Sequence, residues 1–269
     1  MTRPNVILMG SKPGASAALQ ILQARGWNIL YVVTTKRQEA RWLPGPTLVE
    51  RALENNIPVC LQENLSEDTE VDFVISYMYR NLVRPPVLAV AKRAAINFHA
   101  APLPRFGGWA FYNVAILEKA NQYGCTCHYM NEKFDEGPLL KVRTFPIDPA
   151  KETAVTLERK AQREMIQLFV EFCEIAESGA DLPLEHQVRS EMRYMDREEF
   201  QKLKQIPIDA DAETIDRIAR AFWYPPYAGA FMMLGDRKIE VFPEAAREHA
   251  AEALHRHDLN DLMQVNGER

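Results

Sequence analysis

Short apolar runs separated by helix-length segments constrain this chain more than any other feature. Val6-Ile7-Leu8-Met9 is apolar, β-branched at its start and ended by Gly10, so it reads as a buried strand. Ala15 to Arg25 carries Ala18, Leu19 and Leu22 at helical spacing and is stopped by Gly26. Ile29 to Val33 is the next apolar run. Strand, helix and strand in this order make a βαβ unit, which implies a parallel sheet.

The pattern continues downstream. Val71 to Tyr77 and Ala94 to Phe98 read as further buried strands. Ile57 to Leu61 contains Pro58, which cannot donate to a ladder, so this short strand belongs near an edge. Gln38 to Thr47 reads as a surface loop, and Leu48 to Asn55, Pro85 to Lys92 and Phe111 to Lys119 as helices. Cys125 to Met130 and Leu139 to Phe145 read as paired strands, and Thr153 to Ser178 as a long helix with Leu157, Met165, Phe169 and Phe172 on its apolar side. After Gly179 and Pro183 the chain turns polar. Helices are expected at Asp196–Lys204 and Asp211–Ala221, the second capped by Asp209 or Asp211. The aromatic and proline cluster Phe222-Trp223-Tyr224-Pro225-Pro226-Tyr227 follows. Ala230–Met233 and Lys238–Phe242 then form a hairpin turning at Gly235-Asp236, and the tail from Glu244 reads as a charged helix. The expected fold is α/β, with a core at residues 1–183 around a mostly parallel central sheet and a small module at 184–269 containing the β-hairpin.

A chain of 269 residues that is 47% hydrophobic holds one large domain, or a domain and an appendage. Its formal net charge is −5, with no long basic run, which argues against nucleic acid as the main partner. Cys60, Cys125, Cys127 and Cys173 form no disulfide framework, and Cys125-Thr126-Cys127 lacks the two-residue gap of a zinc pair. They read as reduced thiols of a cytoplasmic protein without a metal site. The apolar run near Met1 is too short for a signal peptide, and no later run approaches a membrane span. Gly10-Ser11-Lys12-Pro13-Gly14 is an incomplete G-x-G-x-x-G and gives no support to a dinucleotide cofactor.

Chemistry concentrates in Ile96-Asn97-Phe98-His99, its Pro- and Gly-rich sequel through Gly107-Gly108, and Phe134-Asp135-Glu136-Gly137-Pro138. Side chains alternate along a strand, so Asn97 and His99 share a face. An amide that polarises, an imidazole that takes a proton and a carboxylate that orients the imidazole form an acyl-transfer constellation. In isolation a strand histidine is ordinarily a satisfied core residue. The site's place at the C-terminal end of an open α/β sheet favours the chemical role. His128 alternates with Thr126 and Met130 near this site and reads as structural; His186, His249, His255 and His257 read as solvated.

Ile96 to Pro104 with Gly107-Gly108, and Gly124 to Leu140, resemble the two-part signature of the folate-dependent formyltransferases. That group includes enzymes acting on methionyl-tRNA, on glycinamide ribonucleotide and on nucleotide-linked amino sugars. The resemblance implies a Rossmann-like core and N10-formyltetrahydrofolate as co-substrate, with Asn97, His99 and Asp135 catalytic. It places the pterin against the loops Ser76-Tyr77-Met78-Tyr79 and Phe134 to Gly137, and the acceptor against Lys12, Gly107, Gly108 and Trp109. Arg220 to Val241 resembles the C-terminal module of the sugar N-formyltransferases, and Met192 to Phe200 resembles their linker. This implies a nucleotide-linked amino sugar as acceptor, Trp223 and Tyr224 as candidate contacts, and a homodimer. The implied product is a formylated 4-amino-deoxyhexose for a surface polysaccharide such as O-antigen. A methionyl-tRNA formyltransferase and a non-catalytic folate- or nucleotide-binding module are the alternatives.

Overall fold

The computed structural model describes residues 3–35, 46–108, 111–188, 191, 194–195, 197–225 and 227–247. Its elements in chain order are β1 (Asn5–Gly10), α1 (Pro13–Ala24), β2 (Asn28–Thr34), α2 (Leu48–Glu54), β3 (Val59–Leu61), β4 (Val71–Tyr77), α3 (Pro85–Ala89), β5 (Ala91–His99), β6 (Gly107–Gly108) and α4 (Phe111–Leu117). They continue with β7 (Gln122–Tyr129), β8 (Leu139–Pro146), α5 (Ala154–Ser178), β9 (Tyr194–Met195), α6 (Arg197–Lys202), α7 (Ala212–Ala221), β10 (Phe231–Leu234) and β11 (Arg237–Glu240). The chain divides into two compact units. One comprises residues 1–111, 122–146 and 158–195; the other comprises 112–121, 147–157 and 196–269. Chain order alone places a single boundary at 183, whereas the second unit also draws in two earlier segments.

The first unit is built on a seven-stranded sheet in the order β3-β2-β1-β4-β5-β7-β8. β1 to β5 run parallel, and β7 and β8 are antiparallel additions. The mostly parallel sheet and the edge position of the Pro58 strand are as the sequence implies. β5 is where strand direction switches, so its C-terminal end is bordered by a parallel partner on one side and an antiparallel one on the other. One face of the sheet carries an aromatic layer. Tyr77 stacks on Phe98 at 5.8 Å, Phe98 meets Phe169 of α5 at 4.9 Å, and Phe73 meets Phe172 edge-on at 5.5 Å. Offset and edge-to-face rings of this kind contribute about 0.5–1.5 kcal/mol per pair beyond area burial. The opposite face buries an aliphatic cluster that includes Met9, Val33, Val74, Val83 and Val87.

Local chemistry sets the helix ends. Thr47 and Glu50 form a reciprocal capping box at the start of α2. Asp211, one of the two expected caps, accepts from the Thr214 amide at 2.8 Å. Two-residue β6 pairs in parallel with β9, a ladder the sequence does not announce, since two glycines carry no strand signal.

Within the second unit, the buried Arg220 side chain donates to the carbonyls of Pro149 and Glu152 and bonds Asp216. Asn113 donates to the Ala221 carbonyl at 2.6 Å. Phe222 is buried against Phe200, and β10 and β11 form the expected hairpin, with Gly235 at φ +64 in its turn. Among the described residues, no helix is long and apolar enough to cross a membrane. The four cysteines are unpaired, and burial pushes the thiols of Cys125 and Cys173 up to about 12. Most of the Gln38–Thr47 loop, much of the Met192–Phe200 linker, Pro226, the last three histidines and all but the first residues of the tail helix lie outside the described residues. Glu244–Ala246 form one 3₁₀ turn.

Candidate active site

Three strands place their polar residues in one row. Ser76 of β4 is in register with Asn97 of β5, and Asn97 with His128 of β7. Side chains in register on neighbouring strands share a face and lie within contact distance. The row is hydrogen-bonded throughout: Ser76 Oγ donates to Asn97 Oδ1 at 2.6 Å, and Asn97 Nδ2 donates to His128 Nε2 at 2.9 Å. His128 Nδ1 lies 2.8 Å from the Tyr129 carbonyl, which only accepts, so this nitrogen carries the ring proton. Nε2 is therefore free to accept from Asn97. The two ends of the row fix the Asn97 amide with its oxygen toward Ser76 and its nitrogen toward His128, leaving one amide hydrogen for a ligand.

His99 lies opposite Thr126, whose hydroxyl accepts from the Leu103 amide and donates to the Ala101 carbonyl, anchoring the loop after β5. His99 Nε2 donates to the Phe106 carbonyl at 2.9 Å. The expected orienter of this ring was Asp135, but its tautomer is set by Phe106. Asp135 instead faces the other nitrogen, with Oδ1 3.6 Å from His99 Nδ1 and an equal 3.6 Å from His128 Nε2. Its Oδ2 accepts from the Gly108 amide at 3.0 Å, where Gly108 adopts φ +76. Burial alone would raise the Asp135 carboxyl. The neighbouring His99 and the Gly108 amide counter it, and the group is held well below the usual carboxylate range. Asp135 itself sits at φ +56, a left-handed conformation that aspartate tolerates better than most residues.

The turn carrying Asp135 closes tightly onto β7. Tyr129 donates its amide to the Pro138 carbonyl at 2.8 Å, and a Cβ at Gly137 would lie only 1.8 Å from the Tyr129 carbonyl oxygen. Gly137 thus holds in place the carbonyl that orients His128, a steric role.

An open cleft is lined by Ser76, Asn97, His128 and Asp135, with Tyr79, Leu82, Val83, Met130 and Phe134 as its apolar walls and Asn81, Asn131 and Lys133 as further polar groups. Phe134 is 47% exposed. A polar row against apolar walls suits a flat heteroaromatic ring with hydrogen-bonding edges. His99 is buried and does not line the cleft.

Of the other expected site residues, Ser76, Tyr79 and Phe134 reach the cleft. Tyr77 does not: its side chain is fully buried in the aromatic layer with its hydroxyl unpartnered, because it shares the register and face of Phe98 rather than of Asn97. Met78 adopts φ +53 just after β4 and receives a bond from Gln162 at its sulfur. Lys12 pairs with the buried Glu158 at 2.5 Å, so an approaching anion meets a carboxylate already in place. Gly107 and Gly108 act here through backbone, and Trp109 lies outside the described residues. Trp223 and Tyr224 belong to the second unit, where they pack on Phe242 and Tyr227. Sequence reasoning read His128 as structural and did not single out Phe106 or Gln187. Only the strand register reveals the first.

Residues 5–173 match the family described as formyl transferase. The chain belongs to the formyl transferase family. That span carries Asn97, His99, His128 and Asp135. Solved formyltransferases share the fold. The N-formyltransferase from Helicobacter canadensis, solved with folinic acid and dTDP-3-aminofucose, matches at 19% identity over 88% of this chain and 86% of its own, with a TM-score of 0.72. The 4-N formyltransferase from Francisella tularensis matches at 16% over 90% and 97%, with a TM-score of 0.73. The sugar N-formyltransferase from a Shewanella species matches at 15% over 88% and 96%, with a TM-score of 0.68.

Proposed function

We propose that this formyltransferase moves a formyl group from N10-formyltetrahydrofolate to the amino group of a nucleotide-linked amino sugar. The observation that carries the reading is the Ser76–Asn97–His128 row, which leaves one Asn97 amide hydrogen aimed at a cleft that the Asp135 carboxylate also lines. The sugar as acceptor is supported by likeness, over 88% of this chain, to a sugar N-formyltransferase and to an N-formyltransferase solved with folinic acid and dTDP-3-aminofucose.

When bound, the folate supplies the formyl carbon that the amine attacks. Asn97 donates to the formyl oxygen as negative charge grows there, a contribution of about 3–4 kcal/mol for one such donor. Ser76 and His128 keep the amide from rotating its oxygen into that place. The proton leaving the amine passes to the Asp135–His99 pair, where the ionised carboxylate and His99 Nδ1 face each other, and is returned to the folate N10 as its bond to the formyl carbon breaks. Tyr79, Phe134 and the backbone at Met78 and Gly137 hold the pterin; Gly107, Gly108 and Trp109 serve the acceptor. The acceptor is a 4-amino-deoxyhexose destined for a surface polysaccharide, and the enzyme works in the cytoplasm as a homodimer.

The test is a panel of dTDP-, UDP- and GDP-linked amino sugars incubated with N10-formyltetrahydrofolate and followed by mass spectrometry. A mass gain of one formyl group on a sugar nucleotide is the expected result. Formylation of methionyl-tRNA and of none of the sugars would overturn the reading. Release of formate without any acceptor would replace transfer by hydrolysis.

A further inference from the structure

Gln187 lies beyond residues 5–173, in the segment that follows α5. That segment returns along the Asp135 turn. Glu185 exchanges both backbone hydrogen bonds with Leu139, at 2.7 and 2.9 Å, and the Tyr129 hydroxyl donates to the Leu182 carbonyl at 3.3 Å. Two residues after Glu185, Gln187 Nε2 donates to the carbonyls of both Asp135 (2.8 Å) and Gly137 (2.6 Å). A side-chain amide nitrogen has two hydrogens, so the turn takes both. Gln187 Oε1 is buried and accepts from no group among the described residues. Rotating the amide would set that oxygen against two carbonyl oxygens, so the observed orientation is dictated by the turn.

The first of these carbonyls belongs to Asp135 itself, which adopts a left-handed φ of +56, and the second lies two residues further along the same turn. That conformation aims the carboxylate at the Gly108 amide and at His99 and His128. Left-handed backbone at a non-glycine residue persists only when its surroundings over-determine it. We propose that Gln187 is a positioning residue of the active site: by donating to both carbonyls it pins the turn that presents the Asp135 carboxylate. Its kinetic consequence rests on the formyl-transfer reading; its structural consequence does not.

Three variants separate a donor clamp from simple packing. Gln187→Glu keeps the shape and removes the donors, Gln187→Leu removes all polarity, and Gln187→Lys keeps a donor. Turnover and acceptor KM are measured beside hydrogen exchange of the peptide spanning 131–140. The Glu and Leu variants should lose at least about tenfold in kcat, because misplacement of reacting groups by about 1 Å costs up to 10²-fold, while KM stays within about twofold. Exchange at 131–140 should quicken without a change in the β1–α1 region. Gln187→Lys should recover kcat to within about threefold of wild type. Wild-type kcat in Gln187→Glu, or unchanged exchange at the turn in both donor-free variants, would overturn the proposal. If wild-type protein formylates nothing, the formyl-transfer reading falls, and exchange in the same variants still decides whether Gln187 pins the turn.

Discussion

Replacing Gly137 by alanine perturbs the site through sterics alone. Gly137 is not in the left-handed region, so the new side chain meets no backbone strain. Its Cβ would lie 1.8 Å from the Tyr129 carbonyl oxygen and 2.8 Å from the carbonyl carbon. Turn and strand must separate and the Tyr129 carbonyl swing aside, by more than about 1 Å, to reach van der Waals contact. Two bonds then fail, since each is 2.8 Å long: His128 Nδ1 to the Tyr129 carbonyl, and the Tyr129 amide to the Pro138 carbonyl. Each lost bond costs about 0.5–1.5 kcal/mol and the overpacking about 1–3 kcal/mol, together roughly 2–6 kcal/mol. In a unit of this size 1 kcal/mol moves the melting temperature by about 2–4 °C, so the expected fall is about 4–24 °C. Once His128 turns, the Asn97 amide loses its acceptor, and turnover should drop by about 10²-fold. Gly235→Ala is the control. Its φ of +64 makes alanine cost about 1–2 kcal/mol, but nothing lies within 4 Å of the new Cβ and turnover should not change. Thermal melts followed by circular dichroism, with steady-state turnover on the same preparations, decide it. A Gly137→Ala protein that melts within about 2 °C of wild type and turns over normally would refute the steric account.

Three further outcomes follow from the same geometry. If His128 acts by orienting Asn97, then His128→Leu should lower kcat strongly in wild type and hardly at all in Asn97→Ala; additive losses in that double-mutant cycle would separate the two residues. The Asp135 carboxyl titrates lower folded than unfolded, so its stabilising contribution is complete above the unfolded value near about 3.9 and drains away as pH falls further toward the folded value. Urea unfolding should therefore show a stability gap between wild type and Asp135→Asn that is wide at pH 6 and narrows below pH 4, and a gap independent of pH would contradict the stabilised Asp135 carboxylate. A thiol reagent on native protein should label the half-buried Cys60 slowly and spare Cys125, Cys127 and Cys173, read by peptide mapping.

What could be read in the chain beforehand is what depends on neighbours in sequence. The strand at Val71–Tyr77 and the long helix ending at Ser178 were legible because period and flanking breakers define them locally. Asn97 and His99 were legible as a pair for the same reason, since alternation alone puts them on one face. His128 was not, because its role is a matter of register. A one-residue slip of β7 against β5 would bring Cys127 or Tyr129 opposite Asn97 and turn the imidazole to the other face. The Tyr77 side chain follows the same rule: it neighbours Ser76 in sequence, yet register places Ser76 in the polar row and Tyr77 in the aromatic layer.

Gln187 is further still from any local signal, because its two partners lie about fifty residues upstream across a long helix. These cases share a cause. The groups that form bonds to a ligand announce themselves by residue type and spacing. The groups that hold them in place find their partners through register and the long-range return of the chain, which no local pattern announces. On the role proposed for Gln187, the site draws on residues beyond the matched span of 5–173, and a fragment ending there would keep Asn97, His99 and Asp135 while losing the amide that bonds the Asp135 turn.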